Sequence, residues 1–366
     1  FLNGQVFMQT VSRATLPLLL TLCLVLLKAC GESDYLLQSF KGHMELMSRA
    51  QPIDEILTRK DQPDIVLSQL ETVARLRRFA VDSLYLPDNG SYHEYADLER
   101  PYVVWNLTAA PEFSLELKQW CFPVVGCVTY RGYFDENSAR AMAEELSARG
   151  FDVDVYGVEA YSTLNWFDDP VLNTFLKNDE IHLAALLFHE LAHQVVFVPD
   201  ATTFNESFAK TVEIEGLRRW FLSQESHELW QECQRRERLS ADFQTYLSSI
   251  RTELQTVYSS DLGLEEKRHA KNQIIADGYE RYDRLKVEWG GYAGYDRWME
   301  KGLNNARLSS AATYHELVSA FQVLMRSVDH DLPAFYAEVK KLGSLPKDAR
   351  QVKLKSLSPR LNVYLH

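Results

Sequence analysis

This chain contains no glycine-rich phosphate loop, no nucleophile elbow, no internal repeat and no low-complexity tract. Phosphate-cradling nucleotide enzymes, serine hydrolases built on an elbow and repeat scaffolds are set aside on that ground. Basic charge is also short: 39 lysines and arginines face 51 aspartates and glutamates, for a net charge of −12 and a pI near 5.4. Nucleic-acid phosphates and anionic lipid surfaces would repel such a chain, so no nucleic-acid partner is expected. Cysteine is scarce as well. Of five, Cys23 and Cys30 lie near the amino terminus, leaving Cys121, Cys127 and Cys233 for the folded body. Cys121 and Cys127, six positions apart in an apolar segment, match no common zinc spacing, and their separation leaves a disulfide and a reduced buried pair equally open. Apolar residues, by contrast, are plentiful. At 46% of 366 positions they suffice for one large domain or two smaller ones, and disorder is not expected.

The pattern that carries chemistry is His189-Glu190-Leu191-Ala192-His193, followed thirteen positions later by Glu206. Residues four apart on an α-helix stack on one face about 6 Å apart, so two imidazoles can grip one ion. Glu190, about 100° round the helix from His189, can reach a water on that ion without displacing it, as a general base must. Two histidines and a glutamate with an open fourth position form a catalytic zinc set, in which the ion lowers the pKa of its water toward about 7 and polarises the carbonyl under attack. The supporting helix is expected over residues 181–198, apolar and free of Gly and Pro until Pro199. Ionisable groups set among Leu186, Leu187, Phe188, Val195, Val196 and Phe197 are costly to bury unless paired or coordinated, which favours a metal over a chance match. Thr203-x-x-Glu206 also fits a capping box, a second use for the same glutamate.

Asn205-Glu206-Ser207-Phe208-Ala209, with Glu213 beyond it, resembles the second zinc helix of gluzincin metallopeptidases, especially the NEGFA-x-x-x-E stretch of thermolysin-related aminopeptidases. The resemblance implies His189, His193 and Glu206 as ligands of Zn2+ and Glu190 as the base. Glu213, two turns below Glu206 on the same face, would support a ligand or bind the substrate amine, with a plain salt-bridged glutamate as the alternative. The gap between His193 and Glu206 is shorter than in those aminopeptidases, and no G-x-M-E-N strand occurs, so membership of that family proper is not expected. A broader similarity runs over almost the whole chain. Trp120-Cys121-Phe122-Pro123-Val124-Val125-Gly126-Cys127, Tyr130-Arg131-Gly132-Tyr133-Phe134, Ala160-Tyr161-Ser162-Thr163-Leu164-Asn165-Trp166-Phe167-Asp168-Asp169-Pro170 and Leu303-Asn304-Asn305-Ala306-Arg307-Leu308 resemble a bacterial family of predicted zinc aminopeptidases, commonly lipoproteins. That resemblance implies a zinc metallopeptidase.

Arg13 precedes an apolar run of twelve residues, Leu16 to Leu27, too short to span a bilayer and suited to a signal-peptide core, so residues 1–29 are expected as a signal peptide. Leu27-Lys28-Ala29-Cys30 resembles a bacterial lipobox, which implies Cys30 as the lipidation site. Gly31 lacks the aspartate that favours inner-membrane retention, implying a periplasmic lipoprotein anchored in the outer membrane. A plain cleaved signal or an uncleaved anchor is the alternative.

The body divides, by expectation, into an N-terminal helical region at 30–110, a zinc-binding catalytic core at 111–222 and a C-terminal helical region at 223–366. Two helices separated by Pro52 are expected between Tyr35 and Arg78, strands at 102–105 and 124–130, and a helix at 136–149. Phe151-Asp152-Val153-Asp154-Val155-Tyr156-Gly157-Val158 alternates as a half-buried strand does. This strand lies just ahead of the zinc helix, where gluzincins pair substrate with a sheet edge, and Glu159 and Tyr161 are its candidate groove residues, with ordinary strand and turn roles as the alternative. Residues 223–289 read as a solvated helical hairpin. Tyr314, with His315 as runner-up, is the candidate oxyanion donor, a core tyrosine being the alternative. The expected fold is α+β and mainly helical, with gluzincin-like zinc helices and a small antiparallel or mixed sheet. The expected function is zinc-dependent hydrolysis of a peptide substrate, most simply as an aminopeptidase. An endopeptidase, a peptidoglycan-stem amidase and a non-catalytic envelope scaffold stiffened by zinc are the alternatives.

Overall fold

Apolar residues recur at three- and four-residue spacing along most of the chain, and helix follows from that period. The computed structural model describes residues 33–59, 61–122, 126–160, 168–177, 179–313 and 317–357. The expected signal segment, Cys30, Tyr161, Tyr314 and His315 lie outside the described residues. The described residues fall into two compact units, divided between residues 48 and 49. Helix α1 (Ser33–Arg49), which lies in the first unit up to Ser48, carries Leu36, Phe40 and Met44 at four-residue spacing, all exposed.

The second unit opens with strand β1 (Gln51–Pro52), α2 (Ile53–Arg59) and α3 (Asp64–Leu84). Three helices therefore stand where two are expected, because Pro63 starts a new one: its carbonyl accepts from Val66 and Leu67, and a proline is tolerated there since its missing N–H would have had no helical partner. Next come β2 (Glu94–Ala96), β3 (Val104–Pro111), β4 (Trp120–Phe122), β5 (Gly126–Val128), β6 (Arg131–Tyr133), α4 (Glu136–Ala148) and β7 (Phe151–Val158). The remainder is β8 (Val171–Leu172), α5 (Asn173–Leu176), α6 (Glu180–His193), α7 (Thr202–Ser223), α8 (His227–Tyr258), α9 (Leu264–Glu288), α10 (Asp296–Glu300), α11 (Asn305–Thr313), α12 (Val318–Ser327), α13 (Leu332–Gly343) and α14 (Lys347–Leu357). The fold is α+β and mainly helical.

Among the described residues, three small sheets interrupt the helices. β6, β3 and β7 form an antiparallel sheet in that order, with β3 and β7 in register from Val104↔Val158 to Pro111↔Phe151. β1, β2 and β8 form a mixed sheet, β8 running parallel to β2. β4 and β5 form a hairpin in which Cys121 faces Cys127, and the two are joined as a disulfide. Of the two states left open by spacing, the oxidised one is present. Cys233 is free and buried.

β7 occupies the span its alternation indicates, but its polar side does not face water. Asp152 accepts from the Asn305 backbone N–H, Asp154 stands 3.8 Å from Arg307, and the Tyr156 hydroxyl is hydrogen-bonded to Ser310, so alternate residues of β7 meet residues spread along α11. Partners on that helix satisfy groups that would otherwise demand solvent. The main core surrounds α6 and α7, with Phe175, Phe188, Phe208, Phe221, Phe321 and Phe335 fully buried. A second cluster, including Phe243, Ile250, Leu254, Tyr282 and Leu308, seats one face of the α8–α9 hairpin, which is thus less solvated than its charge suggests. No helix of the described residues is long and apolar enough to cross a membrane.

Candidate metal centre

Helix α6 starts where Asp179 accepts from the His182 backbone N–H at 2.8 Å, and Arg236 of α8 holds that same aspartate at 2.9 Å. Its inward face is Ile181, Leu183, Ala184, Leu187, Phe188, Leu191 and Ala192, all buried. The helix ends at His193, five residues short of the expected Val198. Two causes are visible. Val195-Val196-Phe197-Val198 is a run of β-branched and aromatic side chains with poor helix propensity. The buried Asn205 side chain also clamps Val198, accepting from its N–H and donating to its carbonyl, both at 2.9 Å. That clamp turns the chain back so that α7 lies against α6. α7 begins at Thr202 with Ala201 as its cap and no side-chain capping bond, so Glu206 is not spent in a capping box.

The packing of α6 on α7 is close because Gly216 allows it. A Cβ at Gly216 would lie 2.6 Å from the Phe188 ring and 2.9 Å from a Leu84 methyl. Gly216→Val is expected to cost about 1–3 kcal/mol through overpacking, read as a lower urea midpoint with an unchanged m-value.

His189, His193 and Glu206 come together at this helix pair, with one donor atom from each within 4.8 Å of the others. His189 Nε2 lies 3.2 Å from His193 Nε2 and 3.2 Å from Glu206 Oε2, while His193 Nε2 lies 3.7 Å from that oxygen. A tetrahedral ion with ligand bonds of about 2.0–2.2 Å sets its donors about 3.4 Å apart, and the three measured edges bracket that length. The set therefore fits a small divalent cation. His189 Nδ1 meets Glu213 Oε2 at 3.2 Å, and Glu213 Oε1 meets Lys210 Nζ at 2.7 Å. Both oxygens of Glu213 are thus engaged, which favours support of a ligand over capture of a substrate amine.

Electrostatics point the same way. Burial alone would lower the His189 pKa, but hydrogen bonds to Glu206 and Glu213 push it up to about 10. Burial alone would raise the Glu206 carboxyl, yet His189 and His193 hold it well below the usual carboxylate range. Burial is likewise outweighed at Glu213, where Lys210 and His189 bring the pKa down to about 2. A proton shared among carboxylates marks a place that attracts positive charge. Glu190 differs from these neighbours. Burial raises its pKa, the charges of Glu206 and Glu213 add to the rise, and the two histidines oppose it. A carboxylate with raised proton affinity, one residue from the donor triangle, has the proton affinity that base chemistry there would require.

Glu159, just past β7, is turned to His182 of α6 at 3.1 Å, and its carbonyl accepts from Thr174. It is thus seated beside α6, two turns before His189.

Several residues near the centre carry no motif. Gln194 donates to Ser91 Oγ at 3.1 Å and accepts from Asn89 at 2.8 Å, tying the 89–92 turn to the end of α6. Tyr92, in that turn, has a left-handed backbone (φ 65°), a buried hydroxyl without a hydrogen-bond partner among the described residues and a pKa raised by burial and by the charge of Glu190. Tyr156 hydrogen-bonds Ser310 and Asn106, and its pKa is raised by burial, with the charge of Glu206 a smaller cause. Only the Asn89-Gly90-Ser91 turn chemistry and the alternation of β7 hinted at these positions, and neither signals proximity to a metal.

One family model matches residues 34–354, under the description "Putative aminopeptidase". No curated protein and no solved structure matches the chain.

Proposed function

We propose, from the premise that this chain belongs to the family described as "Putative aminopeptidase", that it is a zinc-dependent peptide hydrolase of gluzincin type that trims amino termini. The triangle of donor atoms from His189, His193 and Glu206, with edges near those of a tetrahedral ion, carries the proposal. These three residues would hold Zn2+. When bound, the ion supplies Lewis acidity, polarising the scissile carbonyl and lowering the pKa of water. Glu190 takes the proton of the attacking water and returns it to the leaving amine, and its burial suits it to hold that proton in between. Glu213 accepts from His189 Nδ1 and fixes the tautomer that turns Nε2 toward the ion. β3 pairs with one edge of β7, and among the described strands none pairs with the other, an edge on which an extended peptide could add.

The same proposal puts the chain in the bacterial envelope, tethered through Cys30 in the outer membrane. The Cys121–Cys127 disulfide supports an oxidising compartment.

Metal analysis of the purified chain, combined with a peptide-library digest read by mass spectrometry with and without chelator, tests the function. Bound zinc and chelator-sensitive loss of amino-terminal residues are expected. Cleavage confined to internal bonds would make it an endopeptidase, and cleavage confined to peptidoglycan stem peptides an amidase. Bound zinc without any hydrolysis would leave the scaffold role.

A further inference from the structure

Lys210 stands out on α7. It lies four residues after Glu206 and three before Glu213, flanked by the buried Phe208, Ala209, Thr211 and Val212, with its own side chain 16% exposed. An ammonium in such surroundings is costly unless it is paired and hydrogen-bonded. Lys210 is paired twice: its Nζ donates to Glu213 Oε1 and to Glu237 Oε1, both at 2.7 Å. Glu237 belongs to α8, the helix that the sequence reads as part of a solvated hairpin, and is 31% exposed. Glu213 then meets His189 Nδ1 through its other oxygen. An unbroken line of contacts runs from the hairpin surface to the donor triangle: Glu237, Lys210, Glu213, His189.

The two imidazoles of the triangle are supported unequally. His189 has this line behind its Nδ1. His193 Nδ1 is buried and has no hydrogen-bond partner among the described residues. The orientation of the imidazole pair therefore depends on the His189 side, and Glu213 can steady His189 only while its own carboxylate is held in place. Of the two contacts to Glu213, Lys210 supplies the shorter, at 2.7 Å against 3.2 Å. Glu237 in turn restricts Lys210, whose flexible stem could otherwise swing toward solvent.

We infer that Lys210 and Glu237 are positioning residues for the metal centre: the ammonium, held by Glu237, fixes Glu213 so that it accepts the Nδ1 proton of His189 and leaves Nε2 aimed at the ion. This rests on the proposal that His189, His193 and Glu206 bind zinc. It adds that the α8–α9 hairpin helps to set zinc affinity from outside the site.

The test is zinc affinity, measured on the full chain by competition with a chromophoric chelator, with the thermal midpoint of each metal-free variant recorded alongside. Lys210→Met is expected to weaken zinc binding by about 10–100-fold, the range typical of lost outer support to a ligand. Lys210→Arg restores the charge and is expected to recover most of that affinity, which a purely structural role would not require. Glu237→Gln keeps the lysine and is expected to weaken binding several-fold. Wild-type zinc affinity in folded Lys210→Met overturns the inference. Should that variant fail to fold, wild-type affinity in Glu237→Gln overturns it instead. A wild-type chain that takes up no zinc defeats the hydrolase proposal and this inference together, so the two failures are told apart by the wild-type measurement alone.

Discussion

If the proposed function is right, Glu190→Gln is expected to lower kcat for peptide hydrolysis by roughly 10²–10⁴-fold, the usual contribution of a positioned general base, and to leave the zinc content of the chain at its wild-type value. The substitution keeps the shape and removes only the ability to take a proton. Metal content should hold because the donor triangle consists of His189, His193 and Glu206 and does not include Glu190. Stability should hold too, or rise. Burial of the Glu190 carboxylate, with the charges of Glu206 and Glu213 added, outweighs the attraction of His189 and His193 and leaves its ionised form disfavoured, so an amide removes a net cost. The variant is therefore expected to combine lost turnover with an equal or higher thermal midpoint. Retained hydrolysis would refute the role of Glu190 as base, and lost zinc would move it into the ligand set.

The parts of this molecule legible from sequence are those in which short-range spacing controls the outcome. The i, i+4 histidines must share a helix face wherever a helix forms, and the alternation of residues 151–158 allows little besides a strand. α4 and the two long hairpin helices likewise follow from local period. Features set by contacts distant in sequence were not legible. The early end of α6 depends on Asn205 clamping Val198 from the next helix. β3 runs to Pro111 where only 102–105 looked like strand, because residues 104–110 are buried on both faces and show no alternation. The polar side of β7 reads as solvent-facing, yet α11, about 150 positions later, supplies Asn305, Arg307 and Ser310 to meet it. Lys210 looks like an ordinary helix lysine until Glu237 arrives from α8. Motif reasoning reaches the atoms that would touch the ion, but not the residues that would aim them.

Zinc affinity should climb about tenfold per pH unit between pH 7 and pH 9, well past the range in which an ordinary histidine stops responding. In the metal-free protein His189 holds its proton up to about pH 10, because burial is outweighed by hydrogen bonds to Glu206 and Glu213. Zinc needs that nitrogen neutral, so each ion bound at pH 8 must displace the proton. The sign is fixed by the direction of the shift: a raised folded pKa keeps the competing proton in place to higher pH, and metal binding strengthens as that proton becomes easier to remove. The same shifts set the stability of the metal-free chain. The His189 contribution is fully present below its ordinary value of 6.5 and is lost as pH rises toward about 10. That of Glu213 is present above its ordinary value of 4.5 and is lost as pH falls toward about 2. The metal-free protein should accordingly be most stable between those two ordinary values, and added zinc should extend its stability to higher pH by replacing the proton with a cation that does not titrate away. Chelator competition at pH 6, 7, 8 and 9, with calorimetry in buffers of different ionisation enthalpy to count released protons, measures both effects. Affinity that flattens above pH 7, with no proton released at pH 8, would mean that Glu206 and Glu213 do not hold a proton on His189, and that the donors reach the metal already neutral.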